Sequence, residues 1–125
     1  METKFYLCKI CGNVVEKLVD SGIPVVCCGE NMSELVPNTV EASVEKHLPV
    51  VTKVDECTLK IDVGSVPHPM IPEHFIAFIY VECEDSCQRV NLTKEPSCQF
   101  CVCSSKPKAV YAYCNLHGLW KTVVK

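Results

Sequence analysis

The sequence predicts an all-β protein in which a small metal-bound section precedes a sandwich or barrel of short strands. Residues 57–63 alternate apolar and polar side chains with a period of two, which is typical of a half-buried strand. Residues 75–81 form a continuous apolar run rich in β-branched and aromatic side chains, which suits a strand buried on both faces. Turn-forming residues separate several further short strand candidates, as in sandwiches and barrels.

The first section runs from Lys4 to about Val36 and contains two cysteine clusters, three of the five glycines and few large apolar residues. So short a segment cannot bury a sufficient core unaided, so we expect a bound metal to supply folding free energy. Pro37-Asn38 is a plausible hinge, after which the composition changes.

The second section contains the remaining predicted elements. Only Thr39–Glu45 is expected to start a helical turn. Besides residues 57–63 and 75–81, short strands are predicted over residues 90–92, 99–103, 109–113 and 119–124. The turn signals between them are Asp85-Ser86, residues 94–97, Lys106-Pro107 and Gly118.

Composition limits the function. The net charge of −3, with no basic run, gives no reason to expect nucleic acid as a partner. No segment approaches 18 uninterrupted apolar residues, and the first residues do not resemble a signal peptide, so we expect no membrane span and a cytoplasmic location. In a reducing cytosol, the 11 cysteines favour metal ligation or redox chemistry over disulfides.

Four cysteines near the N-terminus form a candidate metal site. Cys8 and Cys11 make a CxxC pair, and the adjacent Cys27 and Cys28 follow after 15 residues. Four thiolates in a tetrahedron suit iron or zinc, and Gly12 would let the chain turn away from the metal. Vicinal cysteines should distort that tetrahedron. A structural zinc ribbon remains the alternative, whereas a disulfide framework is disfavoured by the compartment.

Every histidine lies in a proline-rich or turn-like segment rather than in a predicted strand. Proline restrains the backbone around it, so such loops can hold an imidazole with little entropic loss on metal binding. A lone histidine is more often a surface or core residue, but Cys114-x-x-His117 is also a metal-knuckle spacing. One cysteine and four histidines exceed the needs of tetrahedral zinc and suit iron better. The candidate ligands are His47, His68, His74, Cys114 and His117.

These residues resemble a known family. Cys8-x2-Cys11 with Cys27-Cys28 resembles the desulforedoxin-type module. Four segments, in the family order, resemble the catalytic domain of the desulfoferrodoxins, the superoxide reductases. They are Glu45-Lys46-His47-x-Pro49, His68-Pro69-Met70, Glu73-His74 and Cys114-Asn115-Leu116-His117-Gly118-x-Trp120. The resemblance covers nearly the whole chain and does not depend on any single motif.

The resemblance implies a fold, two iron centres and an activity. Residues 1–36 would be a desulforedoxin-like module with Fe(Cys)4, and residues 38–125 an immunoglobulin-like seven-stranded β-sandwich. The second iron would take four equatorial imidazoles and the axial thiolate of Cys114. The implied reaction is the one-electron reduction of superoxide to hydrogen peroxide. The implied partners are a small electron donor such as a rubredoxin and a second copy of the chain, as a homodimer.

The resemblance also implies catalytic roles for Lys46 and Glu45. Lys46 would be a fixed positive charge that focuses superoxide on the site of a negatively charged protein. Glu45 resembles the carboxylate that occupies the sixth position of the ferric resting site in the family. Without the motif, either residue could be a solvated loop charge.

Six further cysteines lie outside the family pattern and are expected to fill strand positions as small hydrophobes: Cys57, Cys83, Cys87, Cys98, Cys101 and Cys103. A third metal site at the last three is disfavoured, because strand alternation puts Cys98 on the opposite face. Cys83 and Cys87 could pair across a turn if oxidised. The alternatives to an enzyme are a non-catalytic electron-transfer protein and a structural zinc or iron protein.

Overall fold

The computed structural model describes residues 3–102 and 105–125, and the chain divides into two compact units, Met1–Val36 and Pro37–Lys125. Strands dominate both units, which confirms the all-β prediction. Within the described residues, the single helix has four residues, and no helix is long and apolar enough to cross a membrane.

The first unit contains five very short strands. A three-stranded antiparallel sheet has the order β2-β1-β5, and β3 and β4 form a separate two-stranded pair. The buried apolar side chains are those of Phe5, Cys8 and Met32. This small core is in keeping with the expectation that a metal stabilises the unit. The strands are β1 (Phe5–Leu7), β2 (Val14–Glu16), β3 (Val26–Cys27), β4 (Glu30–Asn31) and β5 (Ser33–Glu34).

The second unit contains the short helix and seven longer strands. These are α1 (Val44–His47), β6 (Pro49–Asp55), β7 (Thr58–Val63), β8 (Ile76–Cys83), β9 (Cys87–Asn91), β10 (Ser97–Cys101), β11 (Pro107–Cys114) and β12 (Gly118–Val123). One antiparallel sheet has the order β10-β7-β6 and the other has the order β12-β11-β8-β9. Seven strands in two sheets agree with the sandwich that the resemblance implied.

The observed elements follow the predicted ones with small changes. Each predicted strand overlaps an observed strand, although residue 103, in the predicted strand 99–103, lies outside the described residues. Strand β6 was not predicted. The helical turn spans Val44–His47, so it starts within the predicted Thr39–Glu45, and it ends two residues before Pro49. Pro49 opens β6 instead, because the residue before a proline is disfavoured in the helical region.

The sandwich core lies between the two sheets. In β7, Leu59, Ile61 and Val63 alternate inward, whereas β8 and β11 are buried along most of their length. Each fully buried aliphatic side chain contributes about 1.5–3 kcal/mol through the hydrophobic effect. The core therefore fixes the strands firmly, up to the fully buried Cys114 at the end of β11.

Antiparallel pairing gathers several strand ends at one end of the sandwich. Pro49 at the start of β6 pairs with Val63 at the end of β7. Cys114 at the end of β11 is paired with Ile76 of β8 and Gly118 of β12. The segments that carry all four histidines adjoin these strand ends, so the topology brings distant parts of the sequence together.

Candidate metal centres

The four cysteines of the first unit converge on one point. Their Sγ atoms all lie within 4.8 Å of one another. The Sγ atom of Cys27 lies 3.6 Å from that of Cys11 and 4.0 Å from that of Cys28. A tetrahedron with metal–sulfur bonds of about 2.3 Å has edges of about 3.8 Å. The sulfur positions therefore fit a single tetrahedral metal ion.

The backbone explains how two adjacent cysteines face the same point. Cys28 adopts a left-handed conformation with φ 53°, and Gly29 follows with φ 78°. A non-glycine residue in this region costs about 1–3 kcal/mol, and surrounding structure must compensate for it. The adjacent pair therefore reaches one point through a left-handed main chain at Cys28.

The thiol pKa values show why this cluster needs a cation. The backbone N–H of Cys11 lowers the pKa of Cys8 to about 7. By contrast, the sulfurs of Cys11 and Cys8 raise the pKa of Cys28 to about 12. Four thiolates so close together repel one another, and a metal ion would offset this repulsion and release the remaining protons.

The second cluster joins residues from four segments of the sandwich. His47 ends α1, His68 follows β7, His74 precedes β8, Cys114 ends β11, and His117 lies in the turn before β12. The Nε2 atom of His47 lies 3.0 Å from Nδ1 of His117 and 3.2 Å from Nε2 of His68. Ligand atoms of His47, His74, Cys114 and His117 all lie within 4.8 Å of one another. The structure thus brings together all five residues predicted as ligands.

The hydrogen bonds of two rings fix which nitrogen faces the cluster. Nδ1 of His47 lies 2.6 Å from the Ser43 carbonyl oxygen, and Nδ1 of His68 lies 2.7 Å from that of Pro69. A carbonyl oxygen only accepts, so each Nδ1 carries the proton and each Nε2 presents a lone pair. Two lone pairs that face each other at 3.2 Å repel unless a cation lies between them.

His74 also fits a metal site. Its Nε2 atom is buried and, among the described residues, has no hydrogen-bond partner. A buried polar atom left unsatisfied costs about 1–3 kcal/mol, and coordination to a metal would satisfy it. Burial lowers the pKa of His47 and His74, and it lowers that of His68 to about 4. These three rings are therefore neutral near pH 7 and can ligate.

Cys114 supplies the sulfur of this cluster. Its side chain is fully buried, and its Sγ lies 3.8 Å from Nδ1 of His117. Burial raises the pKa of Cys114, while hydrogen bonds from the backbone N–H groups of Leu116 and His117 act in the opposite direction. A cation beside the sulfur would act together with these hydrogen bonds and favour the thiolate.

Trp120 contacts the cluster, a role that the sequence did not predict. Its ring stacks on His47 with centroids 5.1 Å apart, and its Nε1 donates a hydrogen bond to the His117 carbonyl oxygen at 3.1 Å. The side chain is buried. The only available signal was its place three residues after His117, in the motif that carried the resemblance.

Lys46 and Glu45 lie on α1 with exposed side chains. Burial, and to a smaller extent the charge of Lys46, lowers the pKa of both His47 and His74. The Glu45 carboxylate accepts a 3.5 Å hydrogen bond from the Ser43 hydroxyl. Among the described residues, it is not one of the groups that converge with the histidines.

Two of the other cysteines lie on β10. They lie on opposite faces, as strand alternation predicted: Cys98 packs against the sandwich core, whereas Cys101 is exposed and so does not act as the small buried hydrophobe that was expected. Cys103 lies outside the described residues.

The hairpin cysteines differ from the expectation that all of them fill buried strand positions. Cys83 is buried, but Cys87 is exposed, and both are free thiols on either side of a turn. Cys57 lies in the turn between β6 and β7 and is disulfide-bonded, so the prediction of a small hydrophobe in a strand was wrong there.

Comparisons with known proteins agree with this geometry. The family model for desulfoferrodoxin matches residues 39–123, and that for the desulfoferrodoxin N-terminal domain matches residues 1–35. The chain is 41% identical to a desulfoferrodoxin of Syntrophotalea carbinolica, over 94% of this chain and 93% of the relative. A superoxide reductase of Pyrococcus abyssi is 38% identical over 65% of this chain and 87% of its own length. The crystal structure of the superoxide reductase from Treponema pallidum matches with a TM-score of 0.81 and 32% identity, over 98% of this chain and 99% of that one.

Proposed function

Because the chain belongs to the desulfoferrodoxin family, we propose that its two units have separate roles in superoxide reduction. The protein is a superoxide reductase, an oxidoreductase that reduces superoxide to hydrogen peroxide, and it has two iron centres. Residues 1–36 form a desulforedoxin-like module that holds Fe(Cys)4, and residues 38–125 form the catalytic domain. The division of the fold at Val36 and Pro37 supports these boundaries.

The observation that carries the catalytic assignment is the convergence of four imidazoles and one thiol. His47, His68 and His74 would bind iron through Nε2, and His117 through Nδ1, because these are the atoms that face one another. Cys114 would provide the thiolate. A ferrous ion held there supplies the electron that superoxide takes up. Cys8, Cys11, Cys27 and Cys28 would hold the other iron.

The protein's own side chains prepare this site for an anion. Neutral imidazoles add no negative charge, so the site stays attractive to superoxide even though the chain carries a net charge of −3. Lys46, which directly precedes His47 on α1, presents a permanent positive charge that acts on both His47 and His74, and it would steer the incoming anion. Glu45 is the carboxylate that we assign to the resting enzyme, held on the same turn and hydrogen-bonded to Ser43.

The remaining assignments concern the surroundings of the enzyme. We assign it to the cytoplasm, because the two clusters include five cysteines that must stay reduced to bind metal, although Cys57 is disulfide-bonded. The resemblance supports a homodimer and a rubredoxin-like electron donor. Cell fractionation would test the location, and the molar mass from sedimentation analysis would test the homodimer. Reduction of the purified protein by a rubredoxin would test the electron donor.

Replacing Cys114 tests the catalytic assignment. Cys114→Ser should abolish the thiolate-to-iron absorption of the second centre and sharply slow superoxide reduction, while the absorption of the first centre persists. Cys98→Ser is the control, because Cys98 is another strand cysteine that packs against the sandwich core but lies outside both clusters. An unchanged second absorption in Cys114→Ser would remove this residue from the site.

A further inference from the structure

We propose that Asn115 is a positioning residue that sets the place of His74 in the second centre. Its side chain forms two hydrogen bonds to the main chain on either side of His74. The Phe75 N–H donates to Oδ1 of Asn115 at 2.8 Å, and Nδ2 of Asn115 donates to the Glu73 carbonyl oxygen at 3.0 Å. The Asn115 N–H adds a third bond, to the Phe75 carbonyl oxygen at 3.2 Å.

His74 needs such a restraint more than two of its neighbours do. The rings of His47 and His68 are each oriented by a hydrogen bond from Nδ1 to a carbonyl oxygen. Within the described residues, no hydrogen bond orients the ring of His74, whose segment begins with three exposed residues, 71–73. Core packing therefore holds this segment weakly, and its position depends on main-chain contacts.

The place of Asn115 in the sequence gives these bonds their significance. Asn115 directly follows Cys114, and it lies two residues before His117. Its side chain therefore ties the loop that carries two candidate ligands to the segment that carries a third. A short uncharged amide is suited to this task, because it offers an acceptor and a donor at once. Groups that hold metal ligands in place commonly change metal affinity about 10–100-fold when they are removed.

Asn38 offers a matched control elsewhere in the same unit. Nδ2 of Asn38 donates to the Lys121 carbonyl oxygen at 3.0 Å, and the Lys121 N–H donates to Oδ1 of Asn38 at 2.8 Å. This side chain therefore makes the same pair of bonds to main chain that bears no ligand. Because Asn38 has φ 63°, Asn38→Gly removes the bonds without adding backbone strain.

The test uses the iron-loaded protein and compares Asn115→Ala with Asn38→Gly. Asn115→Ala should release iron from the second centre to a chelator about tenfold faster and shift its visible and electron paramagnetic resonance spectra. Asn38→Gly should leave both readouts at the wild-type values. Asn115→Asp keeps the acceptor for Phe75 and loses the donor to Glu73, so it should shift them in the same direction by less. If Asn115→Ala does not fold, the same two readouts in Asn115→Asp test whether Asn115 positions His74.

The inference rests on the proposed ligand role of His74, and His74→Ala separates the two failures. If His74→Ala leaves the second spectrum unchanged, the ligand assignment itself is wrong, and the inference falls with it. If His74→Ala alters the spectrum but Asn115→Ala and Asn115→Asp do not, only the positioning role is overturned. Equal changes in Asn38→Gly would also overturn it, because general loss of stability would then explain the effect.

Discussion

Gly64 lies against the turn that carries Glu45, Lys46 and His47, and Gly64→Ala should displace that turn. A Cβ atom at residue 64 would lie 2.5 Å from the Glu45 carbonyl oxygen and 3.0 Å from that of Leu48. Ordinary contacts begin at 3.4 Å, so relief of the closest one requires a movement of about 0.9 Å, the difference between 3.4 and 2.5 Å. Both obstacles are backbone atoms, so no side chain can rotate away.

The displacement should affect stability and rate together. The Glu45 carbonyl oxygen also accepts hydrogen bonds from the Val66 N–H at 2.9 Å and the Ser65 hydroxyl at 3.2 Å, and movement would weaken both. Overpacking of this kind costs about 1–3 kcal/mol of stability. Lys46 and His47 move with the turn, and a displacement near 1 Å at an active site can lower a rate about 10²-fold.

Pulse radiolysis would measure the second-order rate with superoxide, and metal analysis would measure iron content. Gly22→Ala is the control, because Gly22 has φ +86° and no atom within 4 Å of the added Cβ. It should lose about 1–2 kcal/mol through backbone strain, far from the second cluster in the sequence, and keep the wild-type rate. A wild-type rate and iron content in Gly64→Ala would refute the reasoning.

Three further perturbations have expected outcomes. Lys46→Ala should slow the reaction with superoxide and flatten its dependence on ionic strength while both iron spectra persist; equal salt slopes by pulse radiolysis would make Lys46 a bystander. Cys28→Ser should lose iron from the first unit and destabilise residues 1–36, with catalysis retained; a variant that keeps two irons per chain by metal analysis would exclude Cys28 as a ligand. Metal-free protein should lose stability as pH falls from about 6.5 towards 4. In that range His68 binds a proton in the unfolded chain but not in the folded chain, where burial lowers its pKa to about 4. Denaturant titrations across that range would detect this, and a flat stability would contradict it.

The sequence predicted the strands whose apolar pattern reflects burial. Strand β7 alternates because one face packs in the core, and β8 is apolar throughout because it is buried along most of its length. Strand β6 was missed because most of its side chains are exposed, so its existence depends on pairing with β7 rather than on apolar pattern. The strands of the first unit have two or three residues, too few to display a period.

The candidate ligands were also predictable by residue, because cysteine and histidine in rigid loops are chemically distinctive. The ring nitrogen that faces the cluster was not, since its choice as Nε2 in His47 and His68 depends on carbonyl oxygens that only the fold brings close. Nor were the supporting contacts of Asn115, Trp120 and Gly64. These depend on partners distant in sequence or on backbone packing, and neither leaves a local pattern.

The stoichiometry of the products tests the central claim most directly. A reductase takes one electron and two protons for each superoxide, so it should yield one hydrogen peroxide per superoxide and no oxygen. The measurement is anaerobic mixing of the pre-reduced protein with a known amount of superoxide, below one equivalent of ferrous second centre, with peroxide and oxygen quantified. We expect a peroxide yield near one per superoxide and oxidation of an equal amount of iron. A yield near one half, with an equal amount of oxygen released and no net iron oxidation, would show dismutation instead and contradict it.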